Sequence, residues 1–525
     1  MSGVDPEEFR LLKEHVELMK RELERKDQII AALEQRLFGK KSERIDPGQY
    51  QLELGEEALG KPEPPPTPSE NEGGPEAEED ANAGKARNRR RKNEVLPRNL
   101  PVLIEAVLVP EEVEASPGSY EKIGETHHDE LEAVRSSLYY RRTVMEIYKR
   151  KDDRSRPPVK APAPEPSIPG TMVGPDLMAA IVTDKYVDHL PHYRQAERFR
   201  RRHGAGLRRQ TINGWTHAAA ELLAPVYRAV KEEVRDTGLL QIDETPGDVL
   251  VPGRGETARG YFWYYRNAES GAVCCEWTLS RSHECMLEFL GLSEDSDREP
   301  FGGTIQCDGY SAYGALAKRY QNIELASCLA HIRRKLYEAR QEAPEVAMPM
   351  LKAIATLYRM ERTINLSNAP PGCRRLIRRG HGWEILTWLK TELTEQRNRH
   401  FPQSKMGEAI RYALGQWAGL EKCFTDGRLE LDNNRIENAI RPVKLGLKNY
   451  LFIGSAERGK TAALFYTLAA NCKRHGIDPE KYFAEVFRRT TSTTTVAEAA
   501  ALTPARLADC LRETEETVGQ QPSVA

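Results

Sequence analysis

Two β-prone runs each deliver an aspartate into turn-forming residues, and this pair restricts the chain more than any other feature. The first is Gly238-Leu239-Leu240-Gln241-Ile242-Asp243-Glu244-Thr245-Pro246; the second is Gly303-Thr304-Ile305-Gln306-Cys307-Asp308-Gly309-Tyr310. In each, β propensity gives way to proline or glycine just beyond the aspartate. If the two runs are neighbouring strands, Asp243 and Asp308 converge at the edge of one sheet. A third carboxylate comes from Leu431-Asp432-Asn433-Asn434-Arg435-Ile436-Glu437-Asn438-Ala439-Ile440-Arg441-Pro442. Asn434 suits an N-cap, and Glu437 falls three residues later, as in a capping box. The helix is expected to stop before Pro442, because the residue preceding proline avoids the helical region. Ile436, Ala439 and Ile440 give it an apolar face, and Glu437 and Arg441 are spaced to meet on another. Capping alone would account for Glu437. Beside the two aspartates it gains a second reading, since three hard oxygen ligands suit one or two Mg²⁺ ions.

These motifs, in this order, resemble transposases of the insertion-sequence-66 family: Asp243-Glu244-Thr245-Pro246, Asp308-Gly309-Tyr310, Leu431-Asp432-Asn433-Asn434 with Glu437 and Arg441-Pro442, and Lys448-Asn449-Tyr450-Leu451-Phe452-Ile453-Gly454-Ser455. The resemblance runs from about Val173 to Phe487, with a weaker echo at the N-terminus. It implies an RNase H-like (DDE) domain, with Asp243, Asp308 and Glu437 as catalytic residues and ligands of two Mg²⁺ (or Mn²⁺) ions. It also implies DNA, as element ends and target, for a partner, and possible small accessory transposition proteins. The fold class expected is α+β multidomain.

The acidic and basic residues nearly cancel, to a net charge of −2 over 525 residues, but they are segregated along the chain. Apolar residues make up 39%, enough for sizeable cores. No signal peptide and no membrane-spanning run is evident, and nine scattered cysteines lack C-x-x-C spacing. These point to a reduced, cytoplasmic protein without a membrane partner.

Phe9, Leu12, Val16, Met19, Leu23, Lys26, Ile30, Leu33 and Leu37 alternate three- and four-residue spacing. They predict a coiled coil over residues 1–45 and a homo-oligomer. Residues 46–98 read as a disordered linker, acidic and then basic at Lys85–Lys92. Residues 99–155 sit where the family usually carries a four-cysteine zinc module. No cysteine precedes Cys274, and His127 with His128 cannot complete four ligands, so no structural zinc is expected.

Residues 170–236 turn helical. Arg194, Arg198, Arg200, Arg201 and Arg202 crowd one helix, glycines 204 and 206 make a turn, and a further helix starts near Gln210. This reads as helix-turn-helix-like, with Arg208, Arg209, Gln210, Thr211 and Asn213 towards DNA while Ile212 and Trp215 pack inward. An ordinary helical hairpin is the plainer alternative.

The core's first part is expected over 237–343, with strands Leu239–Asp243, Gly260–Tyr265, Val273–Leu279, Thr304–Asp308 and Ile323–Ser327. His331 follows the last strand, either beside the scissile phosphate or as a helix-start residue; Asn434 is a second possible active-site neighbour. Asp243 and Asp308 are 308 − 243 = 65 positions apart, and Asp308 and Glu437 are 437 − 308 = 129 apart. A helical insertion over 344–430 explains the longer gap, with Arg374, Arg375, Arg378, Arg379 and Lys390 available to line DNA. Residues 431–490 complete the core, and 491–525 read as a mobile tail.

Gly454-Ser455-Ala456-Glu457-Arg458-Gly459-Lys460-Thr461 matches the phosphate-loop pattern G-x-x-x-x-G-K-[ST]. It would make the protein a P-loop NTPase. Against that, the Asp243 strand precedes the loop by some two hundred residues instead of following it, and only about 65 residues remain after Thr461. The match is read as accidental, with Arg441 and Lys460 as further DNA contacts. The expectation is therefore a DDE transposase; the alternative is a DNA-binding descendant that no longer cuts.

Overall fold

The computed structural model describes residues 165–518, apart from 252–255, 295 and 297, with the short pieces 138–144, 147–148 and 159–160. The expected coiled coil, the linker and nearly all of the cysteine-free module lie outside the described residues. The described residues form two compact units: one is Ala326–Arg435, and the other takes the residues up to Leu325 and resumes at Ile436.

The second unit is built on a five-stranded sheet. Its strands are β1 (Leu239–Leu250), β2 (Thr257–Asn267), β3 (Val273–Thr278), β4 (Gly303–Cys307) and β5 (Ile323–Ser327), in the order β3-β2-β1-β4-β5. β1 and β2 are antiparallel from Leu240 opposite Asn267 to Leu250 opposite Thr257, and β2 and β3 are antiparallel. β4 runs parallel to β1 and pairs with it only over Leu239–Gln241. Phe262, Trp263, Tyr264 and Tyr265 are all buried, which marks β2 as covered on both faces. β4 begins at Gly303 for a steric reason: a Cβ there would stand 2.2 Å from the Gly238 carbonyl oxygen.

β1 was expected to end at Asp243 and instead continues to Leu250. The long partner β2 pairs with it throughout. Beyond Gln241 its other side carries no β4 pairing, so the missing N–H of Pro246 is tolerated there.

Among the described residues, six helices belong to the same unit ahead of the helical one. They are α1 (Pro175–Tyr186), α2 (His192–His203), α3 (Arg209–Leu222), α4 (Ala224–Arg235), α5 (Glu284–Leu290) and α6 (Ser311–Arg319). The helical unit contributes α7 (Leu329–Ala339), α8 (Pro344–Leu366), α9 (Pro371–Ile377), a π-helical turn Arg378–Gly382, α10 (Trp383–Gln396), α11 (Lys405–Gly415) and α12 (Trp417–Thr425). Then follow α13 (Asn434–Tyr450), α14 (Ala456–His475), α15 (Pro479–Arg489), α16 (Val496–Ala499) and α17 (Pro504–Val518). α14 lies on β3 and buries residues around its whole circumference, from Gly459 to Cys472.

Two expectations are corrected in this unit. α13 does not stop at Pro442 but runs on to Tyr450. Its buried face continues as Ile436, Ile440, Val443 and Gly446, and packing of the later turns outweighs the roughly 3 kcal/mol that an interior proline costs. The residues from 491 to 518 are not a mobile tail. They form α16, a 3₁₀ turn and α17, and they bury Ala499, Leu502, Leu507 and Ala508. The Tyr482 hydroxyl donates to the Leu502 carbonyl at 2.9 Å and pins the turn.

The helical unit starts at Ala326, ahead of the expected 344, because α7 packs on α8 and α11. At its centre Arg378, fully buried, donates to Glu361 Oε2 at 2.9 Å and to the carbonyls of Cys423 and Leu429, both at 2.7 Å. Arg374 donates to Glu361 Oε1 at 2.6 Å. These two arginines are therefore structural and do not line DNA, since a buried carboxylate needs their charge. Lys390 pairs with Glu421 at 2.8 Å, while Arg375 and Arg379 are exposed.

Candidate active site

The register of β1 and β4 sets the site. Their last paired residues are Gln241 and Gln306. Two steps further along each parallel strand stand Asp243 (243 − 241 = 2) and Asp308 (308 − 306 = 2), side by side where pairing has ceased. Asp243 thus lies within a strand, opposite Tyr264 of β2, and not at a strand end as expected. Its Oδ1 accepts the Glu244 N–H at 2.9 Å. Asp308 lies just past β4, and its Oδ1 accepts the Tyr310 N–H at 2.8 Å, closing the turn into α6. Glu437 lies in the first turn of α13.

Burial pushes the Asp243 carboxyl well above the usual carboxylate range, and the nearby charges of Glu244, Glu437 and Asp308 push it further. The Glu244 N–H bond works the other way. Two of the carboxylates singled out in the sequence, Asp308 and Glu437, therefore act on the third, Asp243. Among the described residues no group of three histidine, cysteine, aspartate or glutamate side chains is arranged to hold a metal ion.

Sequence reasoning missed the layer behind Asp243. Glu244 is the next residue on the strand, so its side chain takes the opposite face. Its carboxylate is 1% exposed. Arg281 donates Nε to Glu244 Oε1 at 2.8 Å and Nη2 to the same oxygen. The Tyr313 hydroxyl of α6 donates to Oε2 at 2.7 Å. The Arg281 guanidinium lies 3.8 Å from the centre of the Tyr310 ring, and the Tyr310 hydroxyl donates to the Arg281 carbonyl at 3.0 Å. A carboxylate adjacent to Asp243 was the only signal in the sequence.

The expected DNA-facing residues are placed as follows. Arg208, Arg209, Gln210 and Thr211 are exposed around the start of α3, and Ile212 is fully buried. Trp215 packs on the core. Asn213 is half-buried, and its carbonyl accepts from Arg458 at 3.3 Å. Arg441 is exposed on α13. In the helical unit His331 is half-buried in the first turn of α7. Asn434 is the first residue of α13 and is not its cap. Asp432 holds it from outside the helix, with Oδ1 accepting the Asn434 N–H at 3.0 Å and Oδ2 accepting from Asn434 Nδ2 at 2.9 Å.

The phosphate-loop match has no cradle. Such a loop offers free backbone N–H groups between a strand and a helix, but α14 already begins at Ala456. Ser455 caps it by accepting the Arg458 N–H at 3.3 Å. Gly459 lies within the helix against Trp277, and Lys460 pairs with Glu457 at 3.1 Å.

Residues 170–461 match the family described as "Transposase IS66 family", and residues 27–103 match "Transposase C of IS166 homeodomain". Three proteins of Sinorhizobium fredii are similar. "Uncharacterized protein y4jD" is 31% identical over 78% of this chain and 81% of its own length. "Uncharacterized protein y4qI" is 31% identical over 76% of this chain and 75% of its own. "Uncharacterized protein y4hP" is 28% identical over 70% and 68%.

Proposed function

The chain belongs to the IS66 transposase family, and we propose that it is a DDE-type transposase that cuts and joins DNA with Asp243, Asp308 and Glu437. The observation that carries this reading is that Asp243, held hard to ionise by burial first and then by Glu244, Glu437 and Asp308, stands within electrostatic reach of the other two carboxylates. Such a cluster is relieved by a cation, and its hard oxygen donors suit Mg²⁺ or Mn²⁺. Asp243, Asp308 and Glu437 would hold two ions, which when bound supply a water of lowered pKa and shield charge on the phosphodiester.

The chain's own part is placement. β1 and β4 fix two carboxylates at one register, and α13 brings the third in its first turn. The strand order, three antiparallel strands followed by two more on the other side of β1, supports an RNase H-like reading of the sheet. The exposed start of α3 and the arginines of α2 would hold DNA phosphates in a helix-turn-helix-like manner. Arg441 and Lys460 are exposed enough to add to this. The heptads of residues 1–45 would join copies of the chain, and small accessory proteins would complete the reaction. Among the described residues no helix is long and apolar enough to cross a membrane; the protein would act in the cytoplasm, where its DNA lies.

The test is a nicking assay on a labelled duplex carrying the element's end, with Mg²⁺ and no nucleotide. Asp243→Asn should abolish nicking and leave DNA affinity nearly unchanged. Equal nicking by both proteins would sink the reading. Tight binding without nicking by the wild type would favour the binding-only descendant.

A further inference from the structure

Arg281 has three guanidinium nitrogens, and the structure accounts for two of them. Nε and Nη2 both donate to Glu244 Oε1. Nη1 donates to no described group, and the side chain is 40% exposed. One face of the guanidinium is covered by Tyr310 at 3.8 Å, and Tyr261 lies at 5.9 Å. Tyr310 is also the residue whose N–H is accepted by Asp308. The arginine is therefore fixed at one edge by a buried carboxylate and on one face by a ring, beside one of the three carboxylates. Its remaining edge is open.

An arginine needed only to neutralise Glu244 would gain nothing from a free edge. Glu244 is already served by Tyr313 as well. A planar cation held in one orientation with donors to spare suits a phosphate oxygen, which two-pronged guanidinium recognition favours over a lysine ammonium. It also lies where local negative charge from the carboxylates must be offset before a polyanion can approach.

We propose that Arg281 is a phosphate-binding residue of the active site, contacting the DNA backbone beside Asp308, and that Glu244 is the positioning residue that aims it. This rests on the transposase reading.

The experiment uses the full chain and a labelled duplex carrying the element's end, with binding measured over a series of salt concentrations and nicking in Mg²⁺. The variants are Arg281→Ala, Arg281→Lys, Glu244→Gln and Asp243→Asn. Arg281→Ala should lower nicking about 100-fold, the order expected for loss of one aimed donor. It should also reduce the slope of log affinity against log salt by about one. Arg281→Lys should restore the slope, since the charge is kept, but not the nicking rate, since the aim is lost. Glu244→Gln should behave like Arg281→Lys. A purely structural Arg281 would alter thermal stability and leave the salt slope at the wild-type value, and that result would overturn the proposal. If Asp243→Asn nicks as well as wild type, the transposase reading itself fails, and a change in salt slope would still report the phosphate contact independently.

Discussion

Asn471 is bonded to both backbone groups of Val273: its Oδ1 accepts the Val273 N–H at 3.2 Å, and its Nδ2 donates to the Val273 carbonyl at 2.7 Å. One turn earlier in α14, Thr467 Oγ1 accepts the Cys275 N–H at 2.8 Å. β3 is the outer strand of the sheet on that side, so α14 satisfies an edge that would otherwise offer unpaired backbone groups. Asn471→Leu should destabilise the protein by about 2–4 kcal/mol, because two buried polar groups lose their partners. Urea unfolding measures it; an unchanged midpoint would refute this account of the edge.

Gly459 and Lys460 stand next to each other in the phosphate-loop match and should behave in opposite ways. A Cβ at Gly459 would lie 2.3 Å from Trp277 Nε1, so Gly459→Ala should destabilise the fold by about 1–3 kcal/mol through overpacking. Lys460→Ala should leave stability and nucleotide binding unchanged, its exposed pair with Glu457 having little weight. Thermal melts with and without ATP decide it. A melting shift with ATP in the wild type, lost in Lys460→Ala, would revive the NTPase reading.

Lys185 gives a pH dependence of known sign. Burial first, and then the charge of Arg458, lower its pKa from the ordinary 10.5 to about 8, while its ammonium sits 5.3 Å and 5.7 Å from the Tyr186 and Tyr450 ring centres. Between those two pH values the unfolded chain binds the proton that the folded chain has lost, so this group makes stability rise with pH. Lys185→Met should be more stable than wild type at neutral pH, and the advantage should shrink as pH rises from about 8 towards 10.5. Unfolding curves at several pH values measure it; a difference constant across that window would contradict the assignment.

Glu361 and Arg378 should fail asymmetrically. Burial opposes the Glu361 charge, but Arg378 and Arg374 outweigh it and hold the carboxyl below its ordinary range. Arg378→Met should cost about 3–5 kcal/mol by stranding a buried carboxylate. The Glu361→Gln, Arg378→Met double variant should recover part of that loss. Denaturant titration of the wild type, both single variants and the double variant tests it, and strictly additive effects would show that the two residues are not coupled.

The sheet was legible because its strands are bounded by turn residues and rich in aromatic and β-branched side chains, as in the run through Trp263 and Tyr265. Asp243 and Asp308 were readable as a pair since each ends an apolar run. The length of β1 was not, because only pairing with β2 carries it past Pro246. Pro442 misled for a related reason: the packed face of α13 continues beyond it. Arg281 was invisible, since nothing in the sequence ties it to Glu244, 281 − 244 = 37 positions away. The helices from Val496 onward were hidden by a threonine- and alanine-rich composition that buries only a few small or isolated apolar residues, Ala499, Leu502, Leu507 and Ala508.

If Asp243, Asp308 and Glu437 work as one site, their substitutions should be non-additive. Nicking of a labelled element end in Mg²⁺ should be compared for Asp243→Asn, Asp308→Asn, Glu437→Gln and the Asp243→Asn, Glu437→Gln double variant, with DNA affinity measured alongside. Residues acting as a unit should each drop the rate to a common floor, with the double variant no lower and affinity retained. Wild-type nicking by Glu437→Gln would contradict the account and leave Glu437 as no more than a first-turn residue of α13.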